Sequence, residues 1–169
     1  PHETMWQTHR DEDGNLSFQE ITVEPQKLAL FGIRSCDLAA LYIQDKHFLQ
    51  DQQRDPYYLA RRSQLFTIAV NCTHPSASCF CASTGDGPQA TYGYDLALTE
   101  LDRGFLLETR TEAAQHIIKD LPLRIATQEE CDSASTALEQ AAQQQTRSLP
   151  SHNLRETLFN NLEHPRCDE

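Results

Sequence analysis

Four cysteines have a side chain and a spacing that suit the binding of a metal ion or a metal cluster. Cys72, Cys79 and Cys81 lie within ten residues, in the polar stretch NCTHPSASCFCASTGDGP. Cys36 lies upstream, which gives the pattern C-x35-C-x6-C-x-C. A disulfide between Cys79 and Cys81 would be strained, because a single residue separates them. The chain has 169 residues and is large enough to fold without disulfides. The clustering of its cysteines therefore favours ligation of a metal or a cluster.

The spacing leaves more than one ligand open. Thiolate sulfur is a soft donor and selects zinc or an iron–sulfur cluster over magnesium or calcium. The pattern is neither the cysteine run of ferredoxins nor the paired C-x2-C of zinc ribbons. Free or redox-active cysteines are the remaining interpretation. Gly85, Gly87 and Pro88 would let the backbone bend and bring N–H groups toward sulfur, and such hydrogen bonds tune a reduction potential.

Two predicted strands would bring the cysteines together. Leu28–Ile33 is a nearly continuous apolar run, as expected of a strand that is covered on both faces, and residues 65–70 (LFTIAV) resemble it. Two predicted helices lie between them, so the order predicts a parallel βαβ-like unit. Cys36 and Cys72 would then each follow the carboxyl end of a strand, where open α/β sheets bind their ligands.

The remaining patterns predict an α/β fold, with a small mixed sheet, flanking helices, cysteine loops at strand ends and C-terminal helices. Residues 1–17 are polar and are expected to be irregular, and residues 18–24 (FQEITVE) are predicted to form a strand that Pro25 separates from the next one. Residues 94–101 and 104–110 alternate in hydrophobicity and predict a β-hairpin. Residues 128–148 are rich in Gln and Ala, and suggest a weakly amphipathic linker helix. Helices are predicted over residues 38–50, 55–64, 111–121, 128–148 and 151–165.

Other polar residues near the cysteines have ordinary structural explanations as well as functional ones. Asp37 or Ser35 is expected to cap the helix that contains residues 38–50. Arg34 would either offset the charge of a thiolate-ligated cluster or form an ion pair. His74 is expected to be a loop residue or to support the ligands, and ligation through its imidazole is the alternative. Arg61 and Arg62, next to two tyrosines, predict a solvated helix face, with a partner or a nucleotide as the alternative.

The composition excludes some classes of partner. The net charge is −11 and the pI is about 5.0, so the chain would repel nucleic acid phosphates and anionic lipid. The longest apolar run is only strand-sized, which predicts no membrane span. No signal peptide is evident, and we expect a cytoplasmic protein. The acidic charge is explained first by solubility, and the alternative is docking on a basic face of another protein.

A family resemblance narrows the choice of ligand. The motifs FGIRSCDLAAL, DPYYLARR, NCTHPSASCFCASTGDGP and YDLALTEL occur in this order, and residues 18–169 closely resemble the four-iron dicluster iron–sulfur proteins. That family includes the sulfhydrogenase beta subunit and one of the anaerobic sulfite reductase subunits, and the chain resembles its N-terminal domain. Cys36 matches the cysteine of the family motif FG-[VI]-[RK]-x-C-D. Cys72, Cys79 and Cys81 match the motif C…CFC. From their number, spacing and predicted location, we infer that these four cysteines hold a [4Fe–4S] cluster.

The resemblance implies a non-catalytic electron-transfer component of an oxidoreductase complex. It would relay electrons between a flavoprotein that oxidises NAD(P)H and the catalytic subunit of a hydrogenase or sulfite reductase. Residues 1–149 are predicted to form the cysteine-cluster domain, and residues 150–169 to begin the linker into a ferredoxin-like domain that this sequence does not contain. Family members tend to have Trp at the position of Cys167, so Cys167 is not assigned as a ligand. Cys131 is not assigned either, because it lies at the polar start of a predicted helix.

Two alternatives stay open at this point. The first is a scaffold domain of such a complex, either metal-free or with structural zinc. The second is an enzyme domain that binds flavin or a nucleotide with its strand-end crevice and the loop STGDGP. This loop lacks both the G-x-G-x-x-G pattern and a Walker lysine, which weakens the second alternative.

Overall fold

The computed structural model describes residues 4–21, 24–50, 54–149, 153–163 and 165. Within these ranges the chain has six strands in two sheets and six helices, which confirms the predicted α/β class with a mixed sheet. The contacts divide the chain into two compact units. The first comprises Pro1–Leu28 and Asp45–Leu65, and the second comprises Ala29–Gln44 and Phe66–Glu169. The predicted domain boundary at residue 150 lies outside the described residues.

The first unit begins with a β-hairpin whose first strand the sequence did not predict, whereas the second strand overlaps the strand predicted over residues 18–24. Strands β1 (Trp6–Arg10) and β2 (Leu16–Glu20) pair antiparallel, so the expectation of an irregular N-terminal segment was wrong. The turn is closed by Asp11, whose carboxylate accepts the Asn15 backbone N–H at 2.7 Å. Gly14 supplies a φ of +86°. Both strands are exposed along their whole length, so neither has a buried apolar face that would mark the pair in the sequence.

Helix α2 (Pro56–Arg62) starts as its sequence predicts. The Asp55 carboxylate caps it by accepting the N–H groups of Tyr57 and Tyr58 at 2.8 and 2.9 Å. Proline at the first helical position needs no N–H partner and has the required φ. The prediction of a short helix here is confirmed.

The second unit is built on a four-stranded sheet in the order β3-β4-β5-β6. These strands are β3 (Leu28–Ile33), β4 (Leu65–Val70), β5 (Leu96–Leu101) and β6 (Gly104–Thr109). β4 and β5 are parallel, whereas β5 and β6 form the predicted antiparallel hairpin. Helix α1 (Ser35–Leu49) follows β3, and α1 and α2 together connect β3 to β4.

The expectation that β3 is covered on both faces was wrong. Leu28, Leu30 and Phe31 are 60%, 42% and 69% exposed, and only Ile33 of this strand is buried. β3 is an edge strand of the sheet, and the core behind it consists mainly of small side chains. An apolar run of six residues cannot distinguish a central strand from an exposed edge strand. The core cluster is Ile33, Leu38, Ala69, Ala90 and Ala97.

The later helices have clear caps. Thr111 caps α4 (Glu112–Ile118), and Thr127 forms a capping box with Glu130 at the start of α5 (Gln128–Gln143). α5 packs on β5 and β6 and buries Leu138 together with two alanines, so it is part of the unit and not a linker helix. The remaining helices are α3 (Cys81–Thr84) and α6 (Leu154–Asn160). In the described part of the chain, no helix combines the length and the apolarity needed to cross a membrane.

Candidate metal centre

The four predicted ligands come from three separate segments. Cys36 lies in the first turn of α1 and is exposed, so it follows β3 without an intervening loop. Cys72 follows the end of β4 by two residues and is half-buried. Cys79 lies in the loop that follows Cys72, Cys81 is the first residue of α3, and both are half-buried. All four side chains are free thiols.

A buried asparagine that sequence reasoning missed fixes the chain next to Cys72. Asn71 is 2% exposed, and its amide donates to the Thr99 hydroxyl at 2.8 Å. Its side-chain oxygen accepts the Ala90 N–H at 2.7 Å, while the Cys72 N–H donates to the Pro88 carbonyl at 3.2 Å. These bonds tie the end of β4 both to β5 and to the segment after the cysteine loop. A polar residue that directly follows an apolar strand was the available signal.

A second buried residue holds the other end of the cysteine loop. The Ser35 hydroxyl lies 2.9 Å from the Gln89 carbonyl oxygen and 2.5 Å from that of Asp86, so it shares one proton between them. This contact joins the start of α1 to the segment after α3. Gly87 lies at the same place, and a Cβ atom on it would stand 2.9 Å from Cys81 Sγ. The backbone therefore approaches this sulfur more closely than any side chain would allow.

The segment after α5 also reaches the loop. The Gln145 side chain donates from Nε2 to Cys81 Sγ at 3.3 Å, and its Oε1 accepts the Ala82 N–H at 3.0 Å. Farther along, the Leu149 N–H donates to the Ser83 hydroxyl at 3.0 Å. Gln145 is 64 residues from Cys81 in sequence, so no local pattern indicated this contact.

The thiols influence one another electrostatically. Burial raises the pKa of Cys72, the positive charge of Arg34 opposes this rise, and the negative charges that Cys36, Cys81 and Cys79 carry when ionised add to it. Burial likewise raises the pKa of Cys36, with further increases from the charges of Asp37 and Cys81. Four thiolates in this region would repel one another unless a cation offsets their charge.

The donor set fits a sulfur-ligated metal group. Thiols are the ligands that zinc and iron–sulfur clusters prefer, and this region offers four that form no disulfide. Within the ranges that the structure describes, no three His, Cys, Asp or Glu side chains form a group that could hold a metal ion. The donor set therefore suits such a group by the number and type of its sulfurs, whereas the described side chains are not gathered into a metal-binding group, and the four ligands stay a prediction.

The neighbouring polar residues have specific places. Asp37 is not the N-cap residue, because α1 already begins at Ser35, but from the third helical position its carboxylate accepts the N–H of Arg34 at 3.1 Å and so satisfies a donor at the helix start. Arg34 is exposed and acts on Cys72 through its charge. His74 is exposed, with Nδ1 3.1 Å from the Thr73 hydroxyl.

The residues predicted to form a solvated face on α2 have two different environments. Arg62 Nε lies 3.0 Å from Asp45 Oδ1, and the Tyr58 hydroxyl donates to the same oxygen at 2.7 Å. Arg62 and Tyr58 thus form a half-buried polar cluster around Asp45. The Arg61 guanidinium instead donates to the Tyr57 carbonyl of its own helix at 3.3 Å.

The two cysteines that were not assigned as ligands stay unassigned. Cys131 is free and half-buried in α5. Cys167 lies outside the described residues.

Together these features define an α/β protein with four free cysteines on segments that follow two neighbouring strands. Over 81 residues the chain is 41% identical to the protein named sulfhydrogenase 2 subunit beta of Pyrococcus furiosus. The match covers 48% of this chain and 23% of that relative, so the chain spans less than a quarter of the relative's length. No protein-family model matches the chain, and no solved structure does.

Proposed function

We propose that this chain is part of an iron–sulfur electron-transfer subunit, and that Cys36, Cys72, Cys79 and Cys81 hold a [4Fe–4S] cluster. The proposal depends mainly on one observation. The segments that carry the cysteines are joined by hydrogen bonds: the Ser35 hydroxyl, next to Cys36, lies 2.9 Å from the Gln89 carbonyl oxygen, and the Cys72 N–H donates to the Pro88 carbonyl at 3.2 Å. The sequence relationship to a sulfhydrogenase beta subunit supports a role in a hydrogenase-type complex.

When bound, such a cluster supplies a site that gains and loses one electron. The protein's own residues position the sulfurs and set their surroundings. Asn71 and Ser35 hold the segments before and after the cysteine loop, through the buried contacts described above. Arg34 places a positive charge within range of Cys72, which favours the more negative, reduced state of a thiolate-ligated group.

The proposed partners are other subunits of a redox complex. Electrons would pass from a flavoprotein that oxidises NAD(P)H to the catalytic subunit of a hydrogenase or sulfite reductase, in the cytoplasm. The cysteine region is accessible at the protein surface. Cys36 is exposed, and Phe80, between Cys79 and Cys81, is 44% exposed. Surface access is what an electron relay requires. The net charge of −11 suits a basic docking face. Residues 150–169 would lead into a ferredoxin-like domain.

Iron and acid-labile sulfide content tests the proposal. After anaerobic reconstitution we expect the wild-type chain to be brown and to hold about four irons and about four sulfides. Cys79→Ser should lose most of both, because it removes one thiolate ligand. Cys131→Ser is the matched control, since it makes the same substitution at a free, half-buried cysteine outside the proposed site.

Each alternative has its own result. A colourless chain with one tightly bound zinc would favour a structural metal site. A reconstituted wild-type chain without metal would indicate a metal-free scaffold. A yellow chain that releases a fluorescent chromophore would indicate a flavin domain. Retention of iron and sulfide by Cys79→Ser would contradict the ligand set even if the wild type binds a cluster.

A further inference from the structure

One polar side chain touches a proposed ligand sulfur directly. Gln145 follows the end of α5 and is half-buried, and its Nε2 lies 3.3 Å from Cys81 Sγ. Its Oε1 accepts the Ala82 N–H at 3.0 Å. The same amide group thus contacts both the sulfur of Cys81 and the backbone of the next residue.

The backbone determines which end of the amide faces the sulfur. The Ala82 N–H can only donate, so the Gln145 atom 3.0 Å from it must be the oxygen. The NH₂ group is then left to face Cys81 Sγ. This orientation suits a ligating cysteine, because a deprotonated thiolate can accept a hydrogen bond but cannot donate one.

Around this contact, the segment after α5 is attached to α3 at a second point. The Leu149 N–H donates to the Ser83 hydroxyl at 3.0 Å. The two attachments run in the same direction along the two segments, with Gln145 beside Cys81 and Ala82, and Leu149 beside Ser83. The contact of Gln145 is therefore one of two points at which the segment after α5 is bonded to α3.

We propose that Gln145 is a positioning residue for Cys81, which it holds in place and whose sulfur it supplies with a hydrogen bond. This role rests on the proposed function. A hydrogen bond donated to a ligand sulfur stabilises the reduced, more negative state of a cluster and so raises its reduction potential. Outer contacts of this kind also support the affinity for the metal group.

Two substitutions separate the donor from the acceptor. Gln145→Leu removes both hydrogen bonds at similar volume, whereas Gln145→Glu keeps an acceptor for Ala82 N–H but puts a negative charge beside the sulfur. Gln143→Leu is the matched control, because Gln143 is exposed at the end of the same helix. The measurements are the reduction potential of the reconstituted cluster, its loss to a chelator, and hydrogen exchange of the Ala82 amide in the metal-free chain.

We expect a lower potential in Gln145→Leu and the lowest in Gln145→Glu, with cluster loss about tenfold faster or more in both. Exchange of the Ala82 amide should be faster in Gln145→Leu by about tenfold, and close to wild type in Gln145→Glu. Gln143→Leu should match the wild type in all three measurements. This pattern would not arise from a general loss of stability, because the two Gln145 variants differ in charge and in the Ala82 contact.

Two negative results have different meanings. If the wild-type chain holds a cluster and both Gln145 variants keep its potential, the inference is wrong and the proposed function stands. If the wild-type chain holds no iron after anaerobic reconstitution, the proposed function is wrong and the role of Gln145 as support for a ligand falls with it.

Discussion

The Asn71 side chain donates a buried 2.8 Å hydrogen bond to the Thr99 hydroxyl, across the parallel pair β4 and β5. Thr99 is 1% exposed, so this bond is closed to water. Because Cys72 is the next residue, the bond determines where the chain leaves the sheet and enters the cysteine loop. A stabilising contact of the core thus also positions a proposed ligand.

Replacing Asn71 with Ala should destabilise the fold. The change leaves the Ala90 N–H and the Thr99 hydroxyl buried without these partners, and each such loss costs about 1–3 kcal/mol. Urea unfolding measures the free energy of unfolding. Thr99→Val and the double variant complete a mutant cycle, for which we expect a coupling energy of about 0.5–3 kcal/mol. Additive effects of the two substitutions would show that the bond contributes nothing of its own.

Replacing Gly87 with Ala should affect the cysteine site more than the fold. The new Cβ would meet Cys81 Sγ at 2.9 Å, so the sulfur must move. We expect less iron per chain after reconstitution. Gly85→Ala is the matched comparison, because the space around Gly85 is open but its φ is +76°. That variant should lose about 1–2 kcal/mol of stability and keep its iron. Equal iron content in both variants would contradict the steric argument.

The Tyr58 hydroxyl should make the fold sensitive to high pH. Burial, followed by the hydrogen bond to Asp45, raises the pKa of Tyr58 from 10.0 to about 12. The folded state therefore favours the protonated phenol, and the resulting stability is complete below pH 10 and is lost as the pH rises toward about 12. Tyr58→Phe should cost about 1 kcal/mol at neutral pH and flatten this alkaline slope.

Chemical denaturation between about pH 8 and about pH 12 follows this effect. Tyr92→Phe, which removes the hydroxyl of an exposed tyrosine, is the control and should keep the wild-type slope. An unchanged alkaline slope in Tyr58→Phe would mean that Tyr58 is not the titrating group.

Glu130 should contribute to stability against acid. Its hydrogen bond with Arg124, and then the Thr127 N–H, lower the pKa of this carboxyl from 4.5 to about 2. A depressed pKa in the folded state gives stability that is complete above pH 4.5 and is lost as the pH falls toward about 2. Glu130→Gln should therefore reduce stability at neutral pH and weaken its fall with acid.

Urea midpoints measured from about pH 2 to about pH 6 test this prediction. Glu129→Gln, the same substitution on the exposed neighbour, serves as the control and should keep the acid dependence of the wild type. If Glu130→Gln and Glu129→Gln have the same acid profile, the contact with Arg124 does not stabilise the fold.

The sequence by itself determined the elements whose signals are local. The bounds predicted for β3 and β4 match the structure, and Asp55 and Thr111 cap the helices that they were expected to start. Caps, turns and short apolar runs act through neighbours within a few residues, so they can be recognised without knowing the fold. The type and spacing of the four cysteines also singled them out as proposed ligands, which stays a prediction.

Only the tertiary structure decided which faces are covered and which distant groups meet. Phe31 is a large apolar residue of the kind that usually lies in a core, but it is exposed on β3, an edge strand. The place of a strand in its sheet is a property of the whole fold and not of the strand's own sequence. Asn71 meets Thr99 across 28 residues, and Gln145 meets Cys81 across 64. Such contacts form only when the fold brings distant segments together. The entropy lost in closing the long loop between them does not depend on a local sequence pattern, so no such pattern predicts the contact.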